Sequence, residues 1–106
     1  MAIDNSAIAV PAPELITAMT GSDVLIGTLI ANPTIIVFDN HSTTSVVLTI
    51  NGISWKTFVG GEALVLDLRA AHGVATNYSF RVGDSFFGNG AANGDFSISY
   101  LYAQNF

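Results

Sequence analysis

The dipeptide Asn51-Gly52 constrains this chain more than any other feature, because it separates two runs rich in β-branched and aromatic residues. Residues 44–50 precede the dipeptide and residues 53–59 follow it. A two-residue Asn-Gly connection suits a type I′ turn, in which both central residues need positive φ. The sequence therefore predicts a β-hairpin whose tip is Asn51-Gly52.

Further runs of β-forming residues lie along the rest of the chain, separated by glycine, proline, asparagine or serine. Residues 62–69 contain good helix formers, but their alternating leucines favour a strand. We predict a single all-β domain, a β-sandwich or jelly roll of about eight short strands. Outside the hairpin, the predicted strands are residues 14–19, 23–30, 34–38, 62–69, 77–82, 84–87 (continuing past a bulge at Gly83) and 95–103, and residues 88–94 are predicted to form a flexible loop.

Residues 1–13 differ from the strand runs and predict an extended N-terminal arm ahead of a domain at residues 14–106. Its two prolines, Pro11 and Pro13, remove backbone donors and disfavour a helix. The arm is more apolar than a solvated tail needs, so a docking arm and a frayed terminus both remain open. A terminal aromatic side chain likewise has to reach an apolar surface or stay exposed. The candidate interface residues are Ile3, Ile8, Val10, Pro11 and Pro13 in the arm, and Tyr102 and Phe106 at the carboxy end.

Composition points to assembly. Half of the 106 residues are hydrophobic and 10% are charged, whereas about a quarter is usual for charged residues. Since a small domain cannot bury all of its apolar surface internally, we expect a homo-oligomer or a larger assembly. Only three basic residues stand against eight acidic ones, for a net charge of −5. This balance argues against nucleic acid and against a basic membrane-binding surface.

The stock of catalytic side chains is small. The chain has no cysteine and two histidines, His41 and His72, which have no further ligand at a metal-site spacing. Gly83-Asp84-Ser85 is similar to the opening of the GDSL hydrolase motif, but no histidine follows Ser85 to act as its base. We therefore predict no enzyme, no catalytic residues, no metal and no cofactor. Calcium held in loops by Asp23, Asp39 or Asp84 remains an alternative.

Residues 34–68, TIIVFDNHSTTSVVLTINGISWKTFVGGEALVLDL, combine a buried strand ending at Asn40, the hairpin at Asn51-Gly52, a step at Gly60-Gly61 and alternating leucines from Leu64 to Leu68. In this order the stretch resembles small virion accessory proteins of tailed phages, a class that includes capsid decoration (cement) proteins. The resemblance implies a structural protein of the capsid exterior, made in the host cytoplasm. Its expected partners are the major capsid protein and further copies of itself, with a trimer favoured.

A second function remains open, a receptor- or glycan-binding β-domain of a tail fibre or a lectin-like protein. It would use Trp55 with Asp39 and His41, and the loops at residues 39–43 and 88–94. Carbohydrate binding needs an aromatic side chain beside carboxylates and amides, a grouping that only the fold can create.

Overall fold

The computed structural model describes residues 7–68 and 80–105. This part of the chain contains nine strands and no helix, which confirms the all-β prediction. The strands are β1 (Ala7–Pro11), β2 (Leu15–Ala18), β3 (Val24–Thr28), β4 (Pro33–Asn40), β5 (Val46–Ile50), β6 (Ile53–Phe58), β7 (Ala63–Asp67), β8 (Ser85–Gly90) and β9 (Asp95–Asn105).

The strands form two antiparallel sheets. The first has the order β1-β9-β4-β7, with β2 also paired to β9, and the second has the order β3-β8-β5-β6. Since β4 occupies one side of β9, β1 and β2 follow one another along its other side, where Pro11 lies opposite Leu101 and Leu15 opposite Ile98. The second half of the predicted arm is thus an edge strand, a position that proline tolerates. The proposed boundary at residue 14 stays a prediction.

The core consists of side chains of both sheets in mutual contact. The Phe38 ring of the first sheet lies 5.9 Å from that of Phe58 and 5.7 Å from that of Phe86, both in the second sheet. These centroid distances are typical of favourable aromatic pairs. Burial alternates along β4 from Ile35 to Asn40, as the pleat of a half-buried strand requires. The fully buried aliphatic residues are Leu29, Ile36, Val46, Leu48 and Ile98.

The hairpin prediction is confirmed. Ile50 pairs with Ile53, so β5 and β6 are joined by Asn51 and Gly52 alone. Asn51 has φ of 52° and Gly52 has φ of 85°. Both values are positive, as a type I′ turn requires.

The predicted loop at residues 88–94 is wrong in its first half, because β8 continues to Gly90. A Cβ at Gly88 would lie 3.1 Å from the side chain of Met19, and one at Gly90 would lie 2.7 Å from Val46. Glycine therefore marks close packing here, as it often does inside a strand. The connection to β9 is limited to residues 91–94.

The strand predicted at residues 77–82 is not present in its described part. Residues 77–79 lie outside the described residues, and residues 80–82 belong to no strand. The Asp84 N–H instead donates to the Arg81 carbonyl at 3.1 Å, closing a turn in which Gly83 has φ of 96°. Gly83 is therefore a turn residue and not a bulge.

Candidate functional site

The first sheet carries apolar side chains on the side facing away from the core. Ile35 and Val37 alternate with buried residues of β4, and the register places Ile35 beside Leu101 and Val37 beside Val65. Val65 is 60% exposed. We call this surface the outer apolar face, and its members are Pro11, Ile16, Ile35, Val37, Val65 and Leu101.

A shallow groove of about 410 Å³ crosses this face. Three residues separate Pro11 from Leu15, whereas only two separate their partners on β9. The extra residue interrupts the regular edge, and the irregular segment forms one wall of the groove. The residues that line it include Pro11, Glu14, Ile35, Val37, Ser99 and Leu101.

The margin of the outer apolar face is acidic. Asp39 and Asp95 lie on its outward positions, and Glu14 is exposed at the groove. The basic residues among those described are Lys56 in β6 and Arg81 before β8, and neither belongs to the first sheet. The face is thus an apolar surface with a negatively charged margin.

His41, Asp39 and Ser97 meet at one end of the face. The His41 Nε2 atom lies 3.1 Å from the Ser97 Oγ atom and 3.5 Å from the Asp39 Oδ2 atom. A serine nucleophile triad needs one ring nitrogen for the serine and the other for the carboxylate. Here a single nitrogen makes both contacts, so the cluster links β9 to the end of β4 without the geometry of a triad.

The fold brings parts of the two predicted interface segments together. Val10 of the arm pairs with Tyr102 of the carboxy end, and both are half-buried. Pro11 and Pro13 are exposed. The backbone of Ile8 pairs with that of Gln104, and Ile3 and Phe106 lie outside the described residues.

The structure does not group Trp55 with Asp39 and His41. Trp55 belongs to β6 and its ring packs 5.1 Å from that of Phe38 in the core, whereas Asp39 faces outward from the first sheet. Trp55 lines a different cavity of about 340 Å³, the tip pocket, together with Asn51, Ser54, Phe80, Arg81 and Asp84. This pocket could not be predicted from the sequence, because it joins the hairpin tip to a turn 33 residues further along the chain.

The described residues hold no group of three His, Cys, Asp or Glu side chains arranged to bind a metal ion. The three candidate calcium ligands also contact different groups: Asp23 accepts from Asn89, Asp84 accepts from Asn51, and Asp39 lies beside His41. His72 lies outside the described residues. Within the same residues, no helix has the length and apolar character needed to cross a membrane. Comparison of the chain with protein-family models, curated proteins and solved structures gives no match.

Proposed function

We propose that the protein is a structural virion protein of the capsid-decoration type, a jelly-roll β-sandwich that binds coat subunits on the capsid exterior. The observation that carries this proposal is the outer apolar face with its acidic margin. A contiguous apolar surface with a polar margin on a small protein typically marks an interaction site. The function needs no catalytic group, metal or cofactor.

The pairing of the strands supports the jelly-roll assignment. If β1 and β2 count as one edge strand, the first strand pairs with the last, and the inner pairs are β3 with β8, β4 with β7, and β5 with β6. Asn51-Gly52 is the tip of this nested set. The remaining pairs, β4 with β9 and β5 with β8, join the strands into two sheets. Rolling one long hairpin into two sheets produces this order, and jelly rolls are common in capsid proteins.

The acidic margin indicates the chemistry of the partner. Two copies joined face to face would bring their Glu14, Asp39 and Asp95 carboxylates toward one another, which is unfavourable. A coat surface with an apolar centre surrounded by lysine or arginine would complement both the apolar face and its acidic margin. Self-association, with a trimer favoured, would then use surfaces away from this face, such as the outer edge of β1 and the end of β9.

A matched pair of substitutions tests this assignment. Ile16 on β2 is 50% exposed on the outer apolar face, and Leu25 on β3 is 52% exposed on an edge strand of the other sheet. Ile16→Glu and Leu25→Glu add the same charge at similar exposure. Each variant is mixed with particles from a phage whose gene for this chain is deleted, and bound copies are counted by quantitative mass spectrometry.

We expect Leu25→Glu to bind at wild-type occupancy and Ile16→Glu to lose most of its binding, because the new carboxylate would be buried in an apolar contact. Circular dichroism and thermal unfolding establish that both variants fold. Wild-type occupancy of the Ile16→Glu variant would exclude the outer apolar face as the interface. Absence of the wild-type chain from purified virions would exclude the decoration function itself.

A further inference from the structure

The aromatic core reaches the surface at the tip pocket. Trp55 and Phe80 belong to an aromatic cluster whose other rings are completely buried, namely Phe38, Phe58, Phe86 and Phe96. Trp55 and Phe80 are only half-buried, and their rings meet edge to face with centroids 5.8 Å apart and planes at 83°. Together they give the tip pocket an apolar aromatic wall of the kind that lines small-molecule sites.

A fixed set of polar groups faces this wall. The Asn51 side-chain Nδ2 donates to the Asp84 carboxylate at 3.0 Å, and the Asn51 Oδ1 atom accepts from the Ser85 backbone N–H at 2.9 Å. The second Asp84 oxygen accepts from the Arg81 N–H at 3.0 Å. Carboxylate oxygens can accept more than one hydrogen bond, and the Asn51 amide has a second N–H. These groups can therefore bind the hydroxyls of a ligand without first rearranging.

Arg81 adds a positive charge to the same pocket. Arg81 is exposed and its guanidinium forms no ion pair with any other described residue, and the contact between Arg81 and Asp84 is made by the Arg81 backbone N–H. Lys56 differs, because its Nζ atom lies 3.1 Å from the Glu62 carboxylate. A guanidinium group can bind a ligand carboxylate through two parallel hydrogen bonds.

We propose that the tip pocket binds a carboxylate-bearing saccharide, specifically a hexuronic acid unit. The C–H face of such a sugar fits the Trp55–Phe80 wall, its hydroxyls fit the Asn51–Asp84 pair, and its carboxylate fits Arg81. The volume of about 340 Å³ lies in the range of small-molecule sites. This binding site is separate from the outer apolar face and does not depend on the proposed coat binding.

Tryptophan fluorescence can measure binding at the tip pocket, because Trp55 is the only tryptophan of the chain. Trp55 fluorescence is titrated with methyl glucuronide and, in parallel, with methyl glucoside, which differs in lacking the carboxylate. We expect saturable binding of the glucuronide, tighter than that of the glucoside by at least about tenfold, because the glucoside lacks the charge-assisted hydrogen bonds to Arg81.

Two variants that each remove one positive charge test whether the carboxylate of the sugar binds Arg81. Arg81→Gln should bring the affinity for the glucuronide down to that for the glucoside, whereas Lys56→Gln should leave it unchanged. Ile16→Glu should also bind the glucuronide normally, which separates this site from the outer apolar face. Equal wild-type affinity for the two sugars, no binding of either, or a normal preference in the Arg81→Gln variant would each overturn the proposal.

Discussion

At the scale of single residues, Asn40 joins several segments of the chain. Its Nδ2 atom lies 3.0, 3.1 and 3.0 Å from the carbonyl oxygens of Thr44, Phe58 and Val59. Its Oδ1 atom accepts hydrogen bonds from the N–H of Ser42 at 3.0 Å and from its hydroxyl at 2.7 Å. The side chain is fully buried, so every bond would be costly to leave unmade. Asn40 thus holds the end of β4 against the end of β6.

Asn40→Asp should destabilise the protein by more than about 3 kcal/mol at neutral pH, because a buried carboxylate would face three carbonyl oxygens. Burial should raise the pKa of the new carboxyl group in the folded state. The loss in free energy of unfolding should therefore grow as pH rises above about 4, the ordinary aspartate pKa. Denaturant unfolding at several pH values measures this. Asn93→Asp is the control, since its exposed Oδ1 can still accept from Thr44. Losses of equal size in the two variants would disprove the role of Asn40.

The importance of Asn40 could be predicted from the sequence only in part. Its place at the end of a buried strand follows from the alternation of residues 34–40. Its partner Val59 lies 19 residues away, and the register that brings the two together depends on the second sheet. The Asn51–Asp84 pair of the tip pocket spans 33 residues and escaped prediction for the same reason.

At the scale of elements, local turn chemistry was the most reliable guide. Asn51-Gly52 predicted its hairpin correctly, because the positive φ angles belong to the turn itself. The glycines of β8 were misinterpreted because their meaning depends on Met19 and Val46, which come from distant segments. The step predicted at Gly60-Gly61 is present, but the close packing of Gly60 was not foreseen, since a Cβ there would lie 2.5 Å from the Thr43 carbonyl oxygen.

In the connection from β6 to β7, the turn also affects the pKa of a carboxyl group, that of Glu62. The Val59 N–H donates to the Glu62 carboxylate at 3.0 Å, and the Lys56 Nζ atom lies 3.1 Å from the same group. These two hydrogen bonds, the backbone one first, hold the pKa of Glu62 below its ordinary value. The Lys56 ammonium group is thereby paired with a carboxylate, whereas the Arg81 guanidinium forms no ion pair with any other described residue.

Gly52→Val should lower the free energy of unfolding by more than about 1 kcal/mol, because a β-branched side chain is strained at positive φ. Space is not limiting, since a Cβ at Gly52 meets no other atom within 4 Å. The effect therefore isolates backbone strain. Thr57→Val, an exposed substitution within β6, is the control for a β-branched residue and should change stability little. An unchanged denaturant midpoint for Gly52→Val would contradict the type I′ turn.

At the scale of the whole molecule, the sequence predicted the class of fold and not the pairing of its strands. β1 and β9 join residues from opposite ends of the described chain, such as Ala7 and Asn105. No local sequence pattern predicts such a contact, because these strands pair only when the two sheets pack together and bury their apolar side chains. For the same reason the sequence did not distinguish an edge strand from an extended tail in residues 1–13, because proline is compatible with both.

Deletion of residues 1–12 removes β1. Among the residues whose burial is described, the buried hydrophobic core begins at Met19, while β2 keeps its pairing with β9 and β9 keeps its pairing with β4. We therefore expect the truncated protein to unfold cooperatively, at a lower midpoint because Val10 and Ala12 no longer cover the edge. Circular dichroism during thermal unfolding measures this.

If β1 contributes to attachment, the same truncated protein should bind fewer copies per particle than the full chain, although its outer apolar face retains Ile16, Ile35, Val37 and Val65. A shorter deletion, of residues 1–6, leaves β1 intact and separates the contribution of Ile3 from that of Val10 and Pro11. Full occupancy after the longer deletion would assign attachment to the sheet face alone. Loss of cooperative unfolding would instead place residues 1–12 within the folded domain and disprove the boundary at residue 14.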